Sequence, residues 1–259
     1  MVQFNQGRGE LTCKLVYFGP AGSGKTTSLR ALMSEVPPER CSNLTEVVPD
    51  DDARLAYEHV ELKLGKFAGL RTRLLVTSAP FCAGSGALMN ELWNGVDGVV
   101  FVADSAPDRL PDNVRALERL HEVLGGPSVQ TANHRRRTVP ILFQWNKADL
   151  EEALTPKALA ARLNPRGRCP SLVTNALEGE GTLKALKQAA TIALESLEKV
   201  YGIGEGEPRP RYTSTTRRLP RVEDERQPAP APASASSGAV VIQGVRPPRA
   251  NWLRRLFSL

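Results

Sequence analysis

Residues 19–27, GPAGSGKTT, have the types and spacing that hold a phosphate group. They match the pattern GxxxxGK[ST], in which glycines let successive backbone N–H groups face phosphate oxygens. Lys25 would reach the β and γ phosphates of a nucleotide, which also makes it a catalytic candidate, and Thr26 would offer its hydroxyl to Mg²⁺. The predicted phosphate-binding residues are Gly19, Ala21, Gly22, Ser23, Gly24, Lys25, Thr26 and Thr27.

A second polar motif, NKAD, follows an apolar run and contributes Asn146, Lys147 and Asp149. Ligands of open α/β sheets bind at the carboxyl ends of the strands, so this motif is placed to meet a ligand. An Asp carboxylate can accept two hydrogen bonds from guanine, whereas adenine presents a mismatched edge that would leave the carboxylate unpaired. Together with the phosphate-binding loop, NKAD favours GTP and GDP over ATP, and an ATP-dependent kinase or ATPase is disfavoured.

Both motifs need a sheet with helices to position them, and the first 202 residues have that pattern. Short apolar runs alternate with stretches of helical period, which predicts an α/β domain with a mostly parallel six-stranded sheet flanked by helices. The predicted strands are residues 13–18, 58–64, 70–77, 99–103, 139–145 and 171–174. Residues 58–64 alternate polar and apolar and suit a place near the sheet edge. The predicted helices are residues 27–34, 114–124 and 183–201.

Composition favours a cytoplasmic protein. The 259-residue chain is 41% hydrophobic, and it has neither a leader-like start nor an apolar run of about 18 residues. The cysteines are widely spaced, which predicts reduced thiols: Cys13, Cys41, Cys82 and Cys169. Residues 203–259 contain ten Arg, no Lys and five acidic residues, and so carry five of the six net positive charges. Without interleaved aromatics this basic segment does not predict nucleic-acid binding.

The same C-terminal segment divides into two parts. Residues 203–248 are rich in Pro, Arg, Ala and Ser and are predicted to be a disordered linker. Residues 249–259 form a short basic amphipathic segment, with Trp252, Leu253, Leu256 and Phe257 on one side of a helix. This segment would dock on a partner groove or an anionic membrane surface; the alternative is a frayed end, because isolated helices this short are marginal in water.

Residues 1–202 resemble the MglA-like small GTPases, the bacterial Ras-like proteins of gliding motility and cell polarity. The resemblance is carried by CKLVYFGP, GKTT, Thr72 with Arg73, GVDGVVFVADS and NKAD. It implies a Ras-like G domain of the P-loop NTPase class, with GTP or GDP and Mg²⁺ as ligands and a roadblock-domain protein as regulator. Asn175 and Ala176, in TNA, match loosely the residues that support guanine from its other side in this family.

The second switch departs from the family pattern, in which Thr is followed by Pro-Gly-Gln. Here Pro80 is kept, but Phe81 stands for the glycine and Cys82 for the water-orienting glutamine. Phe81 removes the flexible backbone whose N–H contacts the γ-phosphate, and Cys82 has no carboxamide to hold a water. Both changes predict slow intrinsic GTP hydrolysis.

The first switch departs as well, because Ala53 replaces the family's arginine finger and Arg54 replaces its Mg²⁺-coordinating threonine. Arg54 is a catalytic candidate as a displaced finger, and a solvated loop arginine is the alternative, since one step along an extended segment reverses the side chain. Asp50, Asp51 and Asp52 would meet the metal through water or form only a charged turn.

Two further features have structural interpretations. Asp104 ends the run GVVFVAD and is interpreted as a structural cap, because the metal-side acid of Ras-like proteins follows the preceding strand, where this chain has Thr77 and Ser78. HRRRT, residues 134–138, is interpreted as a solvated loop, with a partner-binding patch as the alternative.

These features predict a guanine-nucleotide-binding switch or scaffold with weak or partner-dependent hydrolysis, in motility or cell-polarity control. The alternative is a fully active GTPase whose catalytic groups come from a partner protein or from Arg54.

Overall fold

The structure, a computed structural model, describes residues 3–5, 9–48, 56–81, 92–125 and 138–201. Within these ranges the chain forms one sheet of eight strands. The strands are β1 Gln3–Asn5, β2 Glu10–Phe18, β3 Thr45–Val47, β4 Tyr57–Phe67, β5 Leu70–Ser78, β6 Gly98–Asp104, β7 Ile141–Asn146 and β8 Ser171–Val173.

The sheet is mostly parallel, as predicted. Its order is β3-β4-β5-β2-β6-β7-β8, and the five strands from β5 to β8 in this order run parallel. β4 is antiparallel to β5, β3 is antiparallel to β4 at the edge, and β1 is antiparallel to β2. The carboxyl ends of β2, β6, β7 and β8 therefore share one edge, and the polar and apolar alternation of β4 fits its place beside the edge strand.

The prediction of six strands was wrong for the described chain, which has eight. The two additional strands, β1 and β3, have the sequences QFN and TEV, which contain no apolar run of strand length. The predicted strand over residues 139–145 also begins later, at Ile141, because Pro140 has no N–H to donate to a ladder.

Helices cover both faces of the sheet. They are α1 Lys25–Glu35, α2 Leu110–Gly125, α3 Pro156–Leu163 and α4 Thr182–Tyr201, together with the 3₁₀ turns Pro38–Arg40 and Pro107–Arg109. The sequence prediction omitted α3, which has only eight residues. This helix begins locally: the Thr155 hydroxyl accepts a hydrogen bond from the Ala158 N–H, and Pro156 takes the first helical position.

Two apolar clusters form the core, one on each face of the sheet. The first joins β2, β4 and β5 to α1 and α4, where Leu29 and Leu194 are buried. The second joins β6 and β7 to α2 and α3, and includes Trp93, Leu120 and Leu159. The strands at the centre of the sheet are buried on both faces, which explains their continuous apolar sequence.

The predictions about the cysteines and about membrane-spanning segments can be compared with the described residues. Cys13, Cys41 and Cys169 are free thiols, as predicted. No helix in the described part of the chain is long and apolar enough to cross a membrane. Other predicted features lie outside the described residues: Asp50, Asp51, Asp52, Ala53, Arg54, Cys82, most of HRRRT, and residues 202–259.

Candidate functional site

The phosphate-binding loop connects the end of β2 to the start of α1, between a strand and a helix as predicted. Gly24 is the N-cap of α1 and has a φ of 97°, a left-handed conformation that favours glycine. At Gly19 a Cβ atom would lie 2.2 Å from the carbonyl oxygen of Val102 on β6. Both glycines are therefore required by the path of the loop, which leads into the positive end of the α1 dipole, an environment that favours anions.

Lys25 is buried at the start of α1. Its Nζ donates hydrogen bonds to the carbonyl oxygens of Gly19, at 3.0 Å, and Pro20, at 2.8 Å. These bonds hold a positive charge across the loop. The Ser23 hydroxyl is also buried and has no hydrogen-bond partner among the described residues.

Asn146 joins the phosphate-binding loop to the loop after β8. Its Nδ2 donates to the Ser23 carbonyl oxygen at 2.8 Å. Its Oδ1 accepts from the Thr174 hydroxyl at 3.1 Å and from the Ala176 N–H at 2.9 Å. A Cβ on Gly24 would lie 2.2 Å from Asn146 Nδ2, so the glycine makes room for this side chain. The predicted phosphate and base motifs are thus connected through a single buried amide.

Lys147 lies beside Asp104, and the two form an ion pair. Lys147 has a φ of 63°, rare for a residue other than glycine, and its Nζ lies 2.6 Å from Asp104 Oδ2. Asp104 is buried, and its Oδ1 accepts a hydrogen bond from the Ala106 N–H. Asp104 therefore has a structural role in the turn after β6, although the N-cap of the following 3₁₀ turn is Ala106, without a side-chain cap bond. The ion pair with Lys147 is a contact that the sequence did not indicate.

The remaining predicted base-site residues lie on two neighbouring loops. Asp149 is exposed, and it lines a cavity of about 220 Å³ together with Thr174 and Asn175. The Asn175 Oδ1 accepts hydrogen bonds within its own loop, from the N–H of Leu177 at 3.1 Å. Asp149 therefore has a carboxylate accessible to a ligand, whereas the Asn175 side chain shapes the loop.

Thr26 is bonded to a carboxylate that the sequence analysis missed. Its hydroxyl donates to Glu58 Oε2 on β4 at 2.6 Å. Both are hard oxygen ligands of the kind that Mg²⁺ prefers. No cluster of three or more His, Cys, Asp or Glu in the described ranges could hold a metal. A site with few protein oxygens fits Mg²⁺ bound with nucleotide phosphates, since this ion keeps several waters.

Arg109 is a second residue that the sequence analysis missed. It closes the 3₁₀ turn Pro107–Arg109, and its Nη2 donates to the Ala21 carbonyl oxygen at 2.6 Å. Its Nη1 lies 2.5 Å from Asp112, and its Nε lies 3.9 Å from Asp104. A basic residue in a polar loop has no periodic signal, and only the fold brings it to the phosphate-binding loop.

The second switch begins at the end of β5. Thr77 and Ser78 are buried there, and the Ala79 N–H bonds to the Tyr17 carbonyl oxygen at 2.9 Å. Phe81 is partly buried and packs against the second core cluster. An aromatic side chain therefore anchors the segment where the family has a glycine.

No protein-family model matches the chain. Over 190 residues the chain is 33% identical to the mutual gliding-motility protein MglA of Myxococcus xanthus (strain DK1622), an alignment covering 73% of this chain and 94% of that protein. Among solved structures, the Arl6 BBS3 small GTPase of Trypanosoma brucei, with bound nucleotide analogue GppNp, matches with a TM-score of 0.50 and 22% identity. That match covers 71% of this chain and 99% of the other, and at this identity it shows the fold alone.

The α/β fold and the phosphate-binding loop define a Ras-like G domain of the P-loop type, which confirms the predicted fold class. The identity with the Myxococcus protein is more specific, since it extends over nearly the whole of that relative. The chain belongs to the MglA family of small GTPases.

Proposed function

We propose that this protein is a guanine-nucleotide-dependent switch or scaffold that holds GTP or GDP with Mg²⁺ and hydrolyses GTP slowly or only with a partner. The observation that carries the proposal is the Asn146 side chain, which bonds to the phosphate-binding loop on one side and to Thr174 and Ala176 on the other. One amide thus makes the phosphate half and the base half of the site a single unit.

The preference for guanine rests on Asp149, three residues after Asn146. Its carboxylate is exposed beside the cavity between the two loops. It can accept hydrogen bonds from the N1–H and the exocyclic amine of guanine, whereas adenine lacks that pair of donors. A site built to pair such groups discriminates strongly against a base that leaves them unpaired.

Within the nucleotide site, Lys25 supplies the positive charge for the phosphates and Thr26 the hydroxyl for the metal. Mg²⁺, when bound, would neutralise charge that develops on the phosphate oxygens. The Lys25 ammonium is already held by two carbonyl oxygens of the loop, so it needs little reordering to meet a phosphate.

Slow hydrolysis is proposed from the residues at the switches. Phe81 packs on the core in place of a flexible glycine, and Cys82 and Ala53 lack the carboxamide and the guanidinium of the family. Water orientation and charge stabilisation in the transition state would then come from a partner or from Arg54.

The biological setting is proposed from the relative, whose name describes gliding motility. We place this protein in bacterial motility or cell-polarity control, in the cytoplasm, with a roadblock-domain protein as regulator. Residues 1–202 would form the G domain and residues 203–248 a disordered linker. Residues 249–259 would dock on an anionic membrane surface or a partner groove.

Nucleotide binding tests the first half of the proposal. Protein freed of nucleotide is titrated with fluorescent GDP, GTP and ATP analogues. Asp149→Ala is the variant, and Glu118→Ala, which removes an exposed carboxylate on α2, is the control. We expect wild type and control to prefer the guanine analogues and Asp149→Ala to lose that preference. Equal affinity of the wild type for ATP would refute the guanine assignment.

Single-turnover hydrolysis tests the second half. Wild type, Lys25→Ala and the double variant Phe81→Gly, Cys82→Gln are loaded with GTP and compared, with and without a roadblock-domain protein. We expect slow intrinsic turnover, and an increase of about 10-fold or more when the glycine and glutamine are restored. If the wild type instead hydrolyses GTP rapidly without a partner, and Lys25→Ala lowers that rate about 100-fold, the protein is a fully active GTPase.

A further inference from the structure

Glu58 occupies a position from which it can face a metal bound at Thr26. It lies near the start of β4, its side chain is 15% exposed, and its Oε2 accepts a hydrogen bond from the Thr26 hydroxyl at 2.6 Å. Since the Thr26 hydroxyl donates a hydrogen bond to the carboxylate, its oxygen lone pairs remain available for a cation. The hydrogen bond thus fixes the Thr26 hydroxyl beside a carboxylate.

The strand pairing explains why this carboxylate matters. Ras-like proteins place the metal-side acid at the end of the strand equivalent to β5, where this chain has only the hydroxyls of Thr77 and Ser78. In the antiparallel ladder of β4 and β5, Glu58 lies directly opposite Ser78. An acid is thus present at the same level of the sheet, on the neighbouring strand.

We propose that Glu58 is the metal-side carboxylate of this protein and stabilises bound Mg²⁺ together with Thr26, an inference that rests on the proposed nucleotide-binding function. A carboxylate beside the Thr26 hydroxyl supplies the hard, anionic oxygen that Mg²⁺ prefers.

Two purely structural roles compete with this assignment. Glu58 lies 3.9 Å from Arg30, but the Arg30 side chain is 70% exposed, so this ion pair contributes little. Glu58 also contacts Thr26 in the first turn of α1, so its carboxylate lies near the helix N-terminus, where a negative charge is favourable. Neither role depends on Mg²⁺, so the magnesium dependence of nucleotide release separates them from metal binding.

The test measures release of the fluorescent nucleotide mantGDP from the full-length protein as a function of free Mg²⁺. Glu58→Gln removes the negative charge but keeps a side-chain oxygen that can accept the hydrogen bond from the Thr26 hydroxyl. Glu61→Gln is the matched control, because it makes the same change on the same strand. Glu61 lies three residues after Glu58, so its side chain is on the opposite face of the sheet. There it forms an ion pair with Arg73, at 2.8 Å. Arg30→Gln removes the ion pair and keeps the carboxylate.

Mg²⁺ slows release, and the midpoint is the Mg²⁺ concentration that gives half of this effect. We expect Glu58→Gln to raise the midpoint by about 10-fold or more, the usual effect of losing a group that supports a metal site. Its release rate in EDTA should match the wild type, and Glu61→Gln and Arg30→Gln should match the wild type throughout. Glu58→Asp, which keeps the charge, should shift the midpoint less and serves if Glu58→Gln does not fold.

Other outcomes overturn the inference in distinguishable ways. If the Glu58→Gln and wild-type curves superpose, or if Arg30→Gln shifts as far as Glu58→Gln, Glu58 has a structural role only. If the wild type binds no mantGDP, the proposed function fails, and the metal assignment fails with it.

Discussion

A methyl group at position 24 would collide with the side chain that joins the nucleotide-binding loops. The Cβ of an alanine there would lie 2.2 Å from Asn146 Nδ2, and the backbone has a left-handed φ of 97°. Gly22 is the matched control, since it lies in the same loop with a φ of 75° but has nothing within 4 Å of an added Cβ. Both substitutions strain the backbone, but only Gly24→Ala displaces Asn146.

The magnitudes follow from this difference. A left-handed conformation costs a residue other than glycine about 1–2 kcal/mol, so Gly22→Ala should lower the free energy of unfolding by that amount. In Gly24→Ala the displaced Asn146 also loses its hydrogen bonds to Ser23, Thr174 and Ala176. At about 1 kcal/mol each, these add about 3 kcal/mol. The total loss for Gly24→Ala is then about 4–5 kcal/mol, so both variants stay folded at a wild-type stability of about 10 kcal/mol, the middle of the usual range.

Equilibrium urea unfolding of the full-length chain, in EDTA and without added nucleotide, measures both losses directly. We expect Gly24→Ala to be less stable than Gly22→Ala by about 3 kcal/mol at similar m-values. The Gly24→Ala protein should also bind mantGDP more weakly, because the base loop is no longer tied to the phosphate loop. Losses that agree within about 0.5 kcal/mol would refute the view that Asn146 packs against Gly24 and connects the loops.

Two further predictions concern the core and α3. Tyr17 is fully buried, and burial raises the pKa of its hydroxyl above the usual 10.0. Above about pH 10 the unfolded chain releases this proton, whereas the folded protein keeps it. The free energy of unfolding of the wild type should therefore be unaffected below about pH 10. Above that pH it should fall by about 1.4 kcal/mol per pH unit relative to Tyr17→Phe. Parallel urea-derived stability curves for the two proteins from pH 8 to 11 would contradict this. Thr155→Ala should lower the free energy of unfolding by about 1 kcal/mol, because the Thr155 hydroxyl caps α3, whereas Thr155→Ser should match the wild type; equal losses in the two variants would argue against the cap.

The sequence alone determined the features that depend on neighbouring residues. The spacing of glycine, lysine and threonine in residues 19–27 predicts a phosphate-binding loop, because turn, helix start and charge lie within nine positions. The apolar runs predict the long strands of a parallel sheet in the same way. β1 and β3 contain no apolar run of strand length, so the apolar pattern did not reveal these two strands.

Tertiary structure decided the contacts between residues far apart in the chain. Asn146 bonds to Ser23 across 123 positions, and Arg109 bonds to Ala21 across 88, with no local signal for either. Glu58 meets Thr26 only through the register of β4 against β5. A slip of one residue would turn Glu58 to the opposite face of the sheet, so the position of this carboxylate is a property of strand pairing, which residue types alone do not specify.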